Sequence, residues 1–314
     1  MKRIKKRTIM LMVALPLLGV GVLFSLIAFD RLSNSSKPLI ELSVIVRDSD
    51  SSLWTAARKG MEQAAADYGA ELRFLTLTAS NSSEDQKKLL DREISNGADA
   101  IVIAPVDPAA LGDAVQAAAS VASMVTIDTD MSEYGADACV SVDNSLLALS
   151  LGNAALAGTQ DGDSVIVAYS SQANTLTQLL IDETSKALRE GDRKVILCSA
   201  DRIGMYLNYS PPDAIIAVDS DALERVARLV QSADAQPLIY GNGVTSDIAH
   251  YLEIGIIEMI AAKNEYASGY LAVQAAVQKA LNEKVAPIEY LPFYFVTNET
   301  MYEPDYQKLL FPVS

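Results

Sequence analysis

Histidine occurs once in this 314-residue chain, at His250, cysteine twice, at Cys139 and Cys198, and tryptophan once, at Trp54. With no Cys/His cluster, zinc ligation of the usual kind is excluded. Each cysteine sits inside an apolar, strand-like run, where a thiol behaves as a small hydrophobe, and nothing in their spacing argues for a disulfide. The catalytic and cofactor motifs are equally scarce. There is no Gly-x-Ser-x-Gly elbow, no phosphate-binding Walker loop and no Gly-x-Gly-x-x-Gly turn. His250 follows Ser246 by four residues in a helical stretch and reads as a surface position. Two carboxylates suffice for glycoside hydrolysis, so a glycosidase is the one enzyme class that the acidic residues leave open. The chain is therefore expected to be a non-enzyme that needs no cofactor. Basic residues are outnumbered, 25 Lys and Arg against 40 Asp and Glu, and the net charge of −15 opposes binding to nucleic acid.

A long hydrophobic run occurs at residues 8–29, behind Lys2, Arg3, Lys5, Lys6 and Arg7 and ahead of Asp30-Arg31. About 20 apolar residues cross a bilayer as a helix, and flanking basic residues stay on the cytoplasmic side. This segment is thus expected to be an uncleaved signal anchor with the rest of the chain outside the cytoplasm. The alternative is a secreted protein whose signal peptide is removed. Ser25-Leu26-Ile27-Ala28-Phe29-Asp30 matches a cleavage site poorly, and no cysteine follows for lipid attachment.

Beyond the anchor and a polar stalk, about 275 residues remain, enough for two lobes with a cleft between them. Short apolar runs at 42–46, 71–77, 100–104, 124–127, 138–142, 164–168, 194–198, 214–218, 237–240 and 256–261 predict strands. Helical periodicity between them predicts helices at 53–68, 83–96, 108–119, 145–157, 175–189, 221–231 and 266–281. Continuously apolar strands alternating with helices require a parallel sheet covered on both faces, an α/β fold with right-handed crossovers. Helix-end signals agree: Ser83 with Gln86 as a capping pair, Asp107 before Pro108, and Gly69 and Gly97 just past helix ends.

Ligands of such sheets collect beyond the carboxyl ends of the strands. Those ends carry Arg47-Asp48-Ser49-Asp50, Thr78-Ala79-Ser80-Asn81, Asp128-Thr129-Asp130, Asp143-Asn144, Asp219-Ser220-Asp221 and Gly241-Asn242-Gly243. A rim of short carboxylates, amides and hydroxyls can hydrogen-bond several hydroxyl groups at once, although Asp and Asn also serve as helix caps.

Residues 39–312 resemble the type I periplasmic binding proteins of the ribose and galactose kind. The likeness is carried by Val44-Ile45-Val46 with a serine-rich loop ending in Trp54 and then Gly60, by Asn96-Gly97-Ala98-Asp99 running into Ala100-Ile101-Val102-Ile103-Ala104-Pro105, by Val125-Thr126-Ile127-Asp128, by Val140-Ser141-Val142-Asp143-Asn144 and by Ile239-Tyr240-Gly241-Asn242-Gly243. The resemblance implies two doubly wound parallel-sheet lobes joined by a hinge of three chain crossings and closing over a small ligand. It divides the chain into an anchor and stalk at 1–38, a first lobe of 39–142 plus 263–291 and a second of 143–262 plus 292–314. The crossings fall near Val142-Asp143, Ala262-Lys263 and Tyr290-Leu291.

The same resemblance puts Trp54 where the family has a ring against a sugar face and Ser51 at a polar contact in the same loop, with Asp50 beside it. It puts Asp128 at a carboxylate gripping hydroxyls, Asp219 at an amide contact and Asn242 at a carboxylate contact. Asn174 opens the helix after the second lobe's first strand and completes the candidate set. Ribose-type members carry an arginine after the Asp128 carboxylate, where this chain has Thr129, and another near Asn174, where it has neutral residues. A glutamine near the last hinge is matched by Ala262. These losses argue against ribose itself while leaving a sugar or polyol as the expected ligand. The expected partner is an ABC permease in the membrane, or alternatively a sensor kinase. Lac-type repressors share these lobes but place a DNA-binding helix-turn-helix where this chain has its apolar run.

Overall fold

The computed structural model of the protein describes residues 39–171 and 174–311. The anchor expected at residues 1–38 lies outside them, and among the described residues no helix is long and apolar enough to cross a membrane.

Two six-stranded sheets organise the chain. The first contains β1 (Ile40–Ile45), β2 (Ala70–Leu75), β3 (Ala100–Ile103), β4 (Ser123–Ile127), β5 (Ala138–Ser141) and β11 (Ile288–Tyr290). Its order is β11-β5-β4-β3-β1-β2, and every pairing is parallel. The second contains β6 (Ser164–Tyr169), β7 (Lys194–Ser199), β8 (Ala214–Ala217), β9 (Leu238–Asn242), β10 (Met259–Lys263) and β12 (Phe293–Thr297) in the order β12-β10-β9-β8-β6-β7. Four of its pairings are parallel, but β12 runs antiparallel to β10. The expectation of purely parallel sheets is corrected at this edge strand.

Helices cover both faces of each sheet. In the first lobe these are α1 (Thr55–Tyr68), α2 (Ser83–Ser95) and α3 (Pro108–Ala119). In the second they are α4 (Asn144–Gly158), α5 (Thr175–Glu190), α6 (Ile203–Tyr209), α7 (Ser220–Gln231) and α8 (Ser246–Glu253). The chain then returns to the first lobe with α9 (Glu265–Ala280) and ends in the second with α10 (Pro304–Leu310). The central strands β3, β4, β5 and β8 are buried along their whole length, and β3 and β8 are apolar throughout, as burial on both faces favours. Each sheet accordingly separates two apolar cores. In the first lobe, one core lies under α1 and α9 around Met61 and Val273, and the other under α2 and α3 around Leu90 and Leu111.

Gly60 on α1 and Gly269 on α9 allow those helices to touch backbone to backbone. A Cβ at Gly60 would stand 2.0 Å from the Tyr266 carbonyl oxygen, and one at Gly269 would stand 2.2 Å from that of Ala57. Helix ends are as expected at Asp107, whose carboxylate accepts from the amides of Ala109 and Ala110, and at Gly69, which ends α1 with φ +69. They differ at α2. Its cap is Ser82, which accepts from the Asp85 amide, while Gln86 is buried and bonds Val46, Ala104 and Val106 between strands.

Both cysteines are buried and free. Burial pushes the Cys139 thiol up to about 12.

Candidate ligand cleft

The carboxyl ends of both sheets enclose a cavity of about 150 Å³. On this measure a cavity of roughly 150 Å³ takes one six-membered ring. The first lobe contributes Arg47, Asp48, Trp54, Asn81 and Asp128, and the second contributes Ser170, Asn174, Asp219 and Asn242. Lys263 and Glu265 enter where the chain passes back from the second sheet to α9.

Trp54 closes the short 3-10 turn Ser51–Trp54 that leads into α1. Its indole Nε1 donates to Asp48 at 2.8 Å, and the Arg47 guanidinium carbon lies 5.2 Å from the ring centroid. Trp54 is 6% exposed and packs with the first lobe's core, so it serves as a cavity wall and a core residue at once. Asp50 holds this turn by accepting from the Ser52 amide.

Asp128 follows β4 with φ +67, a left-handed conformation that Asp tolerates better than most residues. Two bonds to its carbonyl fix that geometry, from the Ser141 hydroxyl and the Asn144 amide, both at 3.0 Å. Its carboxylate is 2% exposed and accepts from Arg47 at 2.5 Å and from Lys263 at 2.7 Å. Burial alone would raise this carboxyl, but Lys263 and Arg47 outweigh it and hold the group well below the usual carboxylate range. Conversely, burial would lower Lys263 and Arg47, and Asp128 outweighs it and raises both. Glu265 lies 3.3 Å from the Lys263 ammonium, and burial nonetheless raises its carboxyl.

On the second lobe, Asp219 caps α7. One carboxylate oxygen accepts from the Ala222 amide and the other from the Ser170 amide, each at 2.9 Å. Burial raises this carboxyl despite those two donors. Asn242 ends β9, and its Nδ2 donates to the Val218 carbonyl at 3.2 Å. Among the described residues, the buried Oδ1 of Asn242 and the buried Nη1 of Arg47 have no hydrogen-bond partner.

The lobes also touch directly. The Thr175 amide donates to the Val106 carbonyl, and Asn174 Nδ2 donates to Asn81 Oδ1, both at 2.9 Å.

Of the residues expected at a ligand, the structure gathers Trp54, Asp128, Asn174, Asp219 and Asn242 around the cavity and leaves Ser51 and Asp50 outside its lining. Both of those side chains are exposed, one in the turn and the other capping it. At the expected crossings, Val142 is buried in the second lobe's core and Asp143 caps α4 through the Leu146 amide. Ala262 is buried in β10, Tyr290 is 62% exposed, and Leu291 packs against cores of both lobes. Lys263, expected only as a crossing residue, reaches the cavity. Arg47, Asn81 and Glu265 also line the cavity, outside the set of expected ligand contacts. Arg47 carried a usable signal, since a charged residue directly after a buried strand demands a partner. Among the described residues, no group of three or more His, Cys, Asp or Glu side chains is placed to hold a metal ion.

Two α/β lobes with a cleft at the carboxyl ends of their sheets define a class of binding protein. The chain belongs to the periplasmic binding protein domain family, whose model matches residues 42–284. A search of curated proteins finds no match. Among solved structures it is similar to GanP, a glucose-galactose binding protein from Geobacillus stearothermophilus, at 18% identity and TM-score 0.77, covering 85% of this chain and 100% of that one. It is similar at 18% identity and TM-score 0.79 to a carbohydrate transporter solute binding protein from Agrobacterium radiobacter in complex with D-arabinose, covering 88% and 100%. The XylFII–LytSN complex matches at 17% identity and TM-score 0.76, covering 84% and 99%.

Proposed function

We propose that the protein is a non-catalytic receptor, held outside the cytoplasm by its N-terminal segment, that traps a small polar ring by lobe closure. A sugar or polyol is the ligand class. The observation that carries this reading is the single cavity wall built jointly by Asp128 and Trp54 of one lobe and Asp219 and Asn242 of the other. Only a guest with contacts to both lobes favours the shut state, so closure is a population shift that reports occupancy. The lobes of 39–142 plus 263–291 and 143–262 plus 292–314 move as bodies about Val142-Asp143, Ala262-Lys263 and Tyr290-Leu291. The D-arabinose complex of the Agrobacterium relative supports the ligand class.

The closed form is presented to an ABC permease. A second reading is that the closed form is read by a sensor kinase; the XylFII–LytSN complex, in which a protein of similar fold is bound to another protein, supports a protein partner of either kind. In either case the tether raises the effective concentration next to the membrane partner.

The test is a melting screen of the purified full chain against single-ring sugars and polyols. A ligand at a hundred times its Kd stabilises the native state by about 2.7 kcal/mol. A hit whose effect disappears in Asp128→Ala and persists in Ser51→Ala supports the reading, and a full panel without a shift sinks it.

A further inference from the structure

The cavity is lined by five carboxylates, on Asp48, Asp128, Asp219, Asp221 and Glu265, against two cations, on Arg47 and Lys263. The cations are already committed. Both contact Asp128, and Lys263 is shared with Glu265. Asp221 pairs with Arg225 at 3.0 Å, and Asp48 accepts from the Trp54 indole. Asp219 has no such counterpart: among the described residues no lysine or arginine pairs with it, and the groups that bond it, the Ala222 and Ser170 amides and the Ser170 side chain, are all neutral. A part-buried carboxylate without a cation is costly and is relieved by any positive charge brought beside it.

Beside it stands a second acceptor. Asn242 Nδ2 is fixed on the carbonyl of Val218, the residue immediately before Asp219, which leaves Oδ1 as the amide's free end. The amide cannot be turned over without setting its oxygen against that carbonyl. A carboxylate without a cation and an amide oxygen without a donor therefore stand at the ends of neighbouring strands β8 and β9. A hydroxyl offers one donor and no charge, whereas an ammonium offers three donors and the missing charge. Across the cleft the polarity reverses. Arg47 Nη1 is a buried donor without a partner, suited to a hydroxyl or ring oxygen.

We infer that the ligand of this cleft is a single-ring polyol carrying a free amine, an amino sugar, with its ammonium on Asp219 and Asn242 and its oxygens toward Arg47. The inference rests on the receptor reading above and refines its ligand class. Acylation of the amine would remove both the charge and two of the three donors, so an N-acetyl sugar is excluded from the same pose.

The test is calorimetry on the purified full chain at neutral pH with three matched sets: glucosamine, galactosamine and mannosamine, their neutral parent sugars, and their N-acetyl forms. The expected result is at least tenfold tighter binding of one amino sugar than of its parent and its N-acetyl form, weakening as salt is raised. Asp219→Asn should bring that ratio close to one, because the substitution removes the charge that the ammonium would meet while keeping a residue that caps α7. The wild-type comparison decides the matter even where the variant folds poorly. A parent sugar binding as tightly as its amine overturns this inference and leaves the receptor reading standing. No binding by any member of the three sets overturns both.

Discussion

The Thr175 backbone amide donates to the Val106 carbonyl at 2.9 Å, so the first turn of α5 in one lobe is bonded to the loop before α3 in the other. Asn174 reinforces this contact through Asn81, which sits in the left-handed region at φ +61. Asn81→Gly removes the side-chain bond while keeping a backbone that glycine adopts freely. The closed form should lose on the order of 0.5–1.5 kcal/mol. Small-angle scattering of the ligand-free chain should then show a larger radius of gyration than wild type. An unchanged radius would mean that the bond does not hold the lobes together.

Asp128 satisfies two part-buried cations, so Asp128→Ala leaves Arg47 without a paired carboxylate and Lys263 with Glu265 alone. Losing one partner of a buried pair costs about 3–5 kcal/mol, and urea denaturation should register a loss of that size. A change under about 1 kcal/mol would show that Arg47 and Lys263 find water when the carboxylate is gone.

The two cleft carboxylates should act in opposite senses on acid stability. Asp128 is held below its ordinary value, so its stabilisation is present above the unfolded value of 3.8 and is lost as pH falls through the still lower folded value. Asp219 is raised, so the native state holds its proton more tightly than the unfolded chain. Its contribution therefore declines as pH rises from 3.8 through the higher folded value. The stability of wild type relative to Asp219→Asn should fall with rising pH across that window. A flat difference would mean that Asp219 titrates alike in both states.

Trp54 gives a direct optical readout, because the chain contains no other tryptophan. The residue lines the cavity and is 6% exposed, so Trp54→Ala should lower stability by about 3–5 kcal/mol in chemical denaturation. Trp54→Phe keeps much of the packing but leaves Asp48 without the indole donor, and should cost about 1–3 kcal/mol. Equal losses in the two variants would show that the hydrogen bond, and not the ring's bulk, is what the fold requires.

Gly269→Ala should separate α1 from α9. The added Cβ would meet the Ala57 carbonyl oxygen at 2.2 Å, and backbone cannot yield as a flexible side chain does. A loss of about 1–3 kcal/mol is expected in thermal or urea unfolding, in line with overpacking elsewhere.

Much of this architecture is legible in the sequence because buried parallel strands leave unbroken apolar runs. Ala100–Ile103 and Ala214–Ala217 fall inside the predicted ranges for that reason. The edge strands near the carboxyl terminus are not legible. β11 is three residues, Ile-Glu-Tyr, half to fully exposed, and β12 alternates too weakly to stand apart from a loop. Strand boundaries shift for a similar reason. Gly241 and Asn242 lie beyond the predicted strand at 237–240, yet the ladder to β10 carries them into β9. In the cleft, the residues at strand ends were visible as types, whereas the pairing of Arg47 and Lys263 on Asp128 depends on positions 81 and 135 residues apart. No local pattern encodes such a distance. Asp50 shows the converse, since a polar residue beside a site can be occupied with holding its own turn.

Between β11 in the first sheet and β12 in the second lie just Leu291 and Pro292. Three peptide links reach about 11 Å at full stretch, whatever the rest of the molecule does. Tyr290 and Phe293 are therefore leashed, and the two halves can tilt about this seam like the covers of a book but cannot drift apart along it. An open form that satisfies scattering data with these two positions farther apart than that leash is ruled out by chain length alone.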